Sequence, residues 1–185
     1  MVHLPFFAFL LVLGLTDSAP HSSARALPRA VTDKPVSITQ TLAKMPANSV
    51  FYRALVSTKY EMMLDAPGEY TVFAPTDAAF AKLTARGHAA LLEPANARRL
   101  GTVLMYHIVP GRFLAAQLQN GHVLRTSQGT MTLKITKQGR STWVYDSSTN
   151  GPATLQTVDI PCDNGIIHVI DNVLLPVVQR PAPAR

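Results

Sequence analysis

The chain has 185 residues, 47% of them hydrophobic and 15% charged, with 14 Pro, 10 Gly and a single Cys. That length and apolar content suit one globular domain with its own core and many turns, with disorder confined to the ends. One cysteine excludes a scaffold of intramolecular disulfides and a zinc site built on several thiolates. The formal charge of +6 is unevenly spread: nine bases face one acid, Glu93, between Lys82 and Arg140, while Glu61, Asp65, Glu69 and Asp77 share a stretch without a base. Such an excess favours weak attraction to anionic surfaces, although an ordinary solvated face has the same composition.

The chain opens with MVHLPFFAFLLVLGL, whose apolar run from Leu4 to Leu15 is twelve residues long. It is too short to span a bilayer and fits the apolar core of a secretory signal. Small residues follow, with candidate cleavage sites after Ala24 or Ala26, although no Lys or Arg precedes the run. The expectation is a signal over residues 1–24, a flexible lead-in over 25–35, one domain over 36–178 and a disordered tail over 179–185. The alternative is a buried N-terminal helix or strand. No N-x-Ser/Thr sequon is present, so N-glycosylation is not expected.

Ile38, Leu42 and Met45 are spaced for a short amphipathic helix after Ser37, ended by Pro46. A second helix starts at Asn48 or Ser49 and runs through Phe51, Leu55, Tyr60 and Met63, with Phe51, Leu55 and Val56 on its core face. Ala66-Pro67-Gly68 forces a turn. Tyr70 to Ala74 reads as a buried strand stopped by Pro75. Thr76 or Asp77 then caps the short helix DAAFAKL, which packs Phe80 and Leu83 inward. The next helix covers Pro94 to His107, with Leu100, Val103, Leu104 and His107 in one stripe. Arg98 and Arg99 flank that stripe, so at least one projects into solvent. Val109-Pro110-Gly111 is expected as a turn and FLAAQL as a last short helix.

From Gly121 onward the pattern becomes strand-like: HVLRT, TMTLKIT, STWVYD, ATLQTVDI and GIIHVIDNVLL. Trp143 and Tyr145 share one face of their strand. The final segment is apolar on both parities, as a central strand requires. His168 therefore falls at a buried position, where it needs hydrogen bonds and should stay neutral. Cys162 reads as a small, mostly buried residue; an intermolecular disulfide or a reactive thiol is the alternative.

FAPTDAAF, the Tyr106-His107 pair in LMYHIVPG, and NGIIHVIDNVLLP resemble, in order, the three hallmark segments of the fasciclin (FAS1) family. LRTSQG and MTLKI resemble its intervening sheet segments. The resemblance covers about residues 36–178. It implies an α+β fold: a FAS1-type wedge of about seven β-strands with several packed α-helices. It also implies a secreted, cell-surface or periplasmic module of adhesion and matrix association, without enzymatic activity or cofactor. The family segments place Thr71, Phe73, Pro75, Thr76, Asp77 and Phe80 in the first motif and Gly165, His168, Asp171, Leu174 and Pro176 in the last. In animal adhesion members the region of the Tyr-His pair is implicated in integrin binding. Those members also carry Glu-Pro-Asp-Ile-Met, where this chain has Thr157-Val158-Asp159-Ile160-Pro161-Cys162 and retains only the Asp-Ile pair, so integrin binding is doubtful. A single copy of the domain without a hydrophobic C-terminal tail is the expectation here, where many animal members have four copies and some a lipid anchor.

The residues themselves lead to a similar division of labour. Asp77, His168 and Asp171 read as capping and core hydrogen-bonding groups. His107 belongs to an apolar stripe, leaving Tyr106 as the member of the pair better placed to reach a partner. Arg98 and Arg99 are the candidate contacts for anionic partners. The histidines lack a G-x-S-x-G elbow, an H-E-x-x-H pair or a phosphate loop, so catalysis and metal binding are not expected. Nucleic acid is not an expected partner. The functional expectation is an extracellular or periplasmic module binding matrix protein, polysaccharide or a cell surface. A small-ligand carrier or, further off, a hydrolase is the alternative.

Overall fold

A computed structural model describes residues 36–139, 141–146 and 151–176. The expected signal, lead-in and tail, and Arg140, lie outside the described residues.

The N-terminal part is helical: α1 (Ile38–Ala43), α2 (Ser49–Thr58) and α3 (Glu61–Leu64) precede strand β1 (Tyr70–Pro75), followed by α4 (Asp77–Leu83) and α5 (Ala97–Tyr106). Six strands complete the fold: β2 (Ile108–Pro110), β3 (Val123–Arg125), β4 (Thr132–Gln138), β5 (Ser141–Tyr145), β6 (Ala153–Cys162) and β7 (Gly165–Ile170). The sheet order is β2-β1-β7-β6-β5-β4-β3. Every neighbouring pair is antiparallel except β1 and β7, which run parallel with Tyr70 opposite Gly165 and Phe73 opposite His168. The described residues form an α+β fold, with seven strands and several helices.

Burial follows from that order. Strand β7 lies between β1 and β6 and is buried at every residue, so its two apolar faces each meet a separate core. One core joins Val72, Ala74 and Ile167 to Ile38, Phe51, Leu55, Phe80, Leu83 and Leu104 of the helices. The other joins Phe73 and Ile170 to Leu124, Leu133, Ile135, Val144 and Ala153, the inward residues of β3 to β6. The outermost strands are tied together beyond the ladder, because the Ser127 amide just after β3 donates to the Ile108 carbonyl of β2 at 2.7 Å. This link occupies backbone groups that an edge would otherwise expose.

Several local expectations change. The helix expected through Met63 breaks at Lys59, which adopts a left-handed conformation (φ 60°) and ends α2. Val56 is 43% exposed; Ala54, not Val56, shares the inward face with Phe51 and Leu55. Val109 and Pro110 belong to β2, paired with Thr71 and Tyr70, rather than to a bare turn. The FLAAQL segment is a turn rather than a helix: the Leu114 amide is held by the Gln117 side chain and the Gln117 amide returns to the Leu114 carbonyl.

Candidate functional site

Gly165 sets the closest approach in the sheet. Its φ is +153°, and a Cβ there would lie 1.9 Å from the Tyr70 carbonyl oxygen. Only glycine lets β7 enter alongside β1 at this point. Two positions into β1, the buried Thr71 hydroxyl donates to the Gly111 carbonyl at 2.7 Å and accepts the Phe113 amide at 2.9 Å, pinning the loop after β2. Further along the same ladder, the Phe73 ring stacks on His168 with centroids 5.6 Å apart.

His168 has no exposed surface. Its Nδ1 accepts the Asp159 amide at 3.2 Å, and its Nε2–H donates to the Phe113 carbonyl at 2.8 Å. Burial pushes its pKa down, against opposing contributions from the Phe113 carbonyl and Asp159. The neutral imidazole thus bridges β6 to the loop after β2. Asp159 itself sits at φ 58°, inside an irregularity of the β6–β7 register, and its carboxylate accepts the Ala115 amide at 2.7 Å. The aspartate of the Asp-Ile pair is therefore engaged within the fold.

His107 has the opposite tautomer. Its Nδ1–H donates to the Val103 carbonyl at 2.7 Å, while Nε2 accepts the Leu174 amide at 3.0 Å. It fastens the end of α5 to the buried segment after β7. Complete burial lowers its pKa to about 4, only partly opposed by the Val103 bond. Tyr106 is also fully buried, and its hydroxyl donates to the Thr132 carbonyl at 3.1 Å. The expectation that Tyr106 reaches a partner is corrected: the phenol turns inward into the core of Leu133 and Ile135, where its hydroxyl finds a backbone acceptor in β4. Neither member of the Tyr-His pair presents a side chain to the surface.

The first motif divides its capping duties. Thr76 caps α4, its hydroxyl accepting the Ala79 amide at 3.2 Å. The half-buried Asp77 carboxylate instead accepts the Val50 amide at 2.9 Å and the Ser49 hydroxyl at 2.7 Å. Asp77 therefore caps α2, a different helix from its own. Asn48, read from sequence only as a cap for α2, is fully buried; its side-chain amide donates to the Ala74 and Pro75 carbonyls. Phe80 is buried in the helical core. In the last motif, Asp171 accepts the Thr154 amide at 2.7 Å, Leu174 is buried and Pro176 is half-buried. Asn164 was missed altogether. Its side chain accepts the Ile38 amide and donates to the Leu64 carbonyl at 2.6 Å, joining α1 and α3 to the start of β7. An asparagine before a glycine reads as turn chemistry, and nothing local marks its distant partners.

The family model described as Fasciclin domain matches residues 46–176. The chain belongs to the fasciclin domain family. Protein sll1483 of Synechocystis is 37% identical over 148 residues, covering 80% of this chain and 78% of the relative. Human stabilin-1 is 31% identical over 94% of this chain but only 6% of its own length, and human periostin 29% over 69% and 14%. In structure, this fasciclin domain is similar to a FAS1 domain pair from the insect cell adhesion molecule fasciclin I, with a TM-score of 0.67 and 19% identity. The match covers 76% of this chain and 51% of that one, and it establishes the shared fold.

The surface of this fasciclin domain carries the remaining candidates. Arg98 and Arg99 are both exposed. Several other bases hold backbone: Lys82 donates to the Asp171 carbonyl and Lys137 to the Ala115 carbonyl, while Arg112 lies 4.0 Å from Glu69. An open pocket of about 420 Å³ is lined by Gln117, Gln119, Asn120, Gly121 and His122. Two of its side-chain carbonyls already accept backbone amides, Gln117 from Leu114 and Asn120 from Lys137. Among the described residues no cluster of three or more His, Cys, Asp or Glu could hold a metal ion, and no helix is long and apolar enough to cross a membrane. Cys162 is buried, and desolvation raises its pKa, which disfavours the reactive thiolate.

Proposed function

We propose that this chain is an exported, non-enzymatic binding module that engages an extracellular or cell-surface protein or polysaccharide through its outer surface. The observation that carries this reading is the use made of the motif polar groups. Both ring nitrogens of His107 and His168, both oxygens of Asp77 and the hydroxyl of Thr71 are committed to internal hydrogen bonds. Groups so engaged position the backbone; they are poorly placed to act as nucleophile or base. Ligand-directed chemistry is left to exposed residues, among which Arg98, Arg99, Arg125 and Lys134 are basic. Similarity in fold to the cell adhesion molecule fasciclin I supports the same reading. The test is an array of glycans and matrix proteins probed with the purified chain at physiological and high salt. Salt-sensitive capture by a defined class of ligand is expected. Binding to none of them would overturn the proposal.

A further inference from the structure

Strands β3 to β6 have one buried face and one that faces outward. The register makes the outer set explicit. Val123 lies opposite Lys134 and Lys134 opposite Tyr145; Arg125 lies opposite Thr132; Thr136 and Thr154 flank Trp143. Directly opposed residues in a ladder point to the same side of a sheet. The alternate positions Leu124, Leu133, Ile135, Val144 and Ala153 fill the core, so this first set faces away from it. Arg125 and Lys134 are exposed, Val123 is 53% exposed and the two aromatic residues are half-buried. Trp143 and Tyr145 meet edge to face, with centroids 6.3 Å apart. The ladder set contains two cations, three threonines and no acid.

We propose that this outer sheet face is a docking surface for a carboxylated polysaccharide, a chain of uronic acid units. The inference rests on the binding-module reading above and names both its surface and its ligand class. Aromatic side chains combine a broad apolar surface with a polar tip, which suits the C–H faces of a sugar ring. The flanking threonine hydroxyls can donate to or accept from ring hydroxyls. Arg125 presents a planar fork that matches a carboxylate, and Lys134 supplies a second, more diffuse charge. The charge density decides among anionic polymers. Two cations set between aromatic and hydroxyl groups fit a chain with one carboxylate per sugar better than a densely sulfated one. The edge-to-face arrangement of the rings (interplanar angle 67°) does not form the run of parallel platforms on which successive nucleic-acid bases stack.

Trp143 is the only tryptophan in the chain, so its fluorescence reports this face alone. The purified chain is titrated with polygalacturonate oligosaccharides, with neutral dextran, a heparin oligosaccharide and a single-stranded oligonucleotide in parallel. A saturable change in emission with polygalacturonate, weakened at least tenfold at 1 M salt, is expected, with no change for dextran. Arg125→Glu/Lys134→Glu should abolish the change. Tyr145→Ala should weaken binding about tenfold, and Arg53→Glu, an exposed change on α2, should leave it within twofold; unchanged thermal unfolding confirms that each variant is folded. An unchanged emission, a response that survives Arg125→Glu/Lys134→Glu, or tighter binding of heparin or the oligonucleotide would overturn the proposal. If polygalacturonate fails while the array described above still captures a matrix protein, the ligand assignment falls and the binding-module reading stands. If both fail, the reading falls as well.

Discussion

The Asp77 carboxylate, at the first residue of α4, accepts the Val50 amide in the first turn of α2 at 2.9 Å. One side chain thereby fixes two helices against each other while the neighbouring Thr76 caps the nearer one. A carboxylate at a helix N-terminus satisfies an orphan N–H and opposes the positive end of the dipole. Asp77→Ala should destabilise the fold by about 1–2 kcal/mol, and Asp77→Asn, which keeps an acceptor, by less. Urea unfolding of both variants against Thr76→Ala tests the assignment. Equal costs for Asp77→Ala and Asp77→Asn would show that a neutral acceptor recovers nothing, while an Asp77→Asn variant as stable as the wild type would show that the charge contributes nothing.

Gly165→Ala should be far more damaging. The added methyl would meet the Tyr70 carbonyl oxygen at 1.9 Å, and backbone cannot yield there without breaking the β1–β7 ladder. A loss of roughly 4 kcal/mol or more is expected, in the range reserved for steric disruption of a core. Soluble yield and thermal midpoint measure it, with Gly129→Ala as the comparison, since a Cβ there meets nothing within 4 Å.

Stability should fall on mild acidification. The folded pKa of His107 is lowered to about 4 from an ordinary value of 6.5. The unfolded chain therefore binds a proton at this site across that window and the folded chain does not. The stabilisation is fully present above pH 6.5 and is lost progressively toward pH 4, amounting to about 3 kcal/mol. His168 is shifted in the same direction and adds to the effect. Urea midpoints measured from pH 7.5 to 4 should decline. A His107→Gln variant that still folds should show a shallower slope.

Arg98→Glu/Arg99→Glu should reduce retention on a heparin-type column at physiological salt, with the two proteins converging at 1 M. Screening shortens the reach of such attraction from about 8 Å to about 3 Å over that interval. Equal retention at both salt levels would make the pair part of an ordinary solvated surface.

Export predicts that residues 1–24 or so are removed, leaving a mature chain that begins near Arg25. Mass spectrometry of the protein from its native host checks this, and a cytoplasmic chain retaining Met1 or Val2 would refute it.

Much of the architecture could be read in advance because its signals are local. Pro75 with Thr76 marks a strand ending in a helix cap, and the two-sided apolar pattern of Gly165 to Ile170 marks a buried central strand. What escaped the sequence depends on partners distant along the chain. Whether Asp77 caps α4 or α2 turns on where Ser49 lies in space. The inward course of Tyr106 depends on an acceptor at Thr132 of β4, which no helical period encodes. Lys59 could not be singled out because a left-handed helix cap, closed here by the Lys59 and Tyr60 amides on the Val56 and Leu55 carbonyls, usually falls on Gly or Asn. For the candidate site, the parity of Trp143 and Tyr145 was visible at once. Their placement beside Lys134 required the register of β4 against β5.

The parallel pairing of β1 with β7 also has a consequence for how the protein is made. Tyr70 finds its neighbour only when Gly165 has been synthesised, so the middle of the sheet cannot close on a partial chain. Contacts of such sequence separation are slow to form, because loop entropy is lost before they contribute. A chain halted before Gly165 would hold β1 with a single short partner and its apolar faces open. The last motif therefore closes the sheet: a chain truncated before it lacks both the second partner of β1 and the strand that joins β1 to β6.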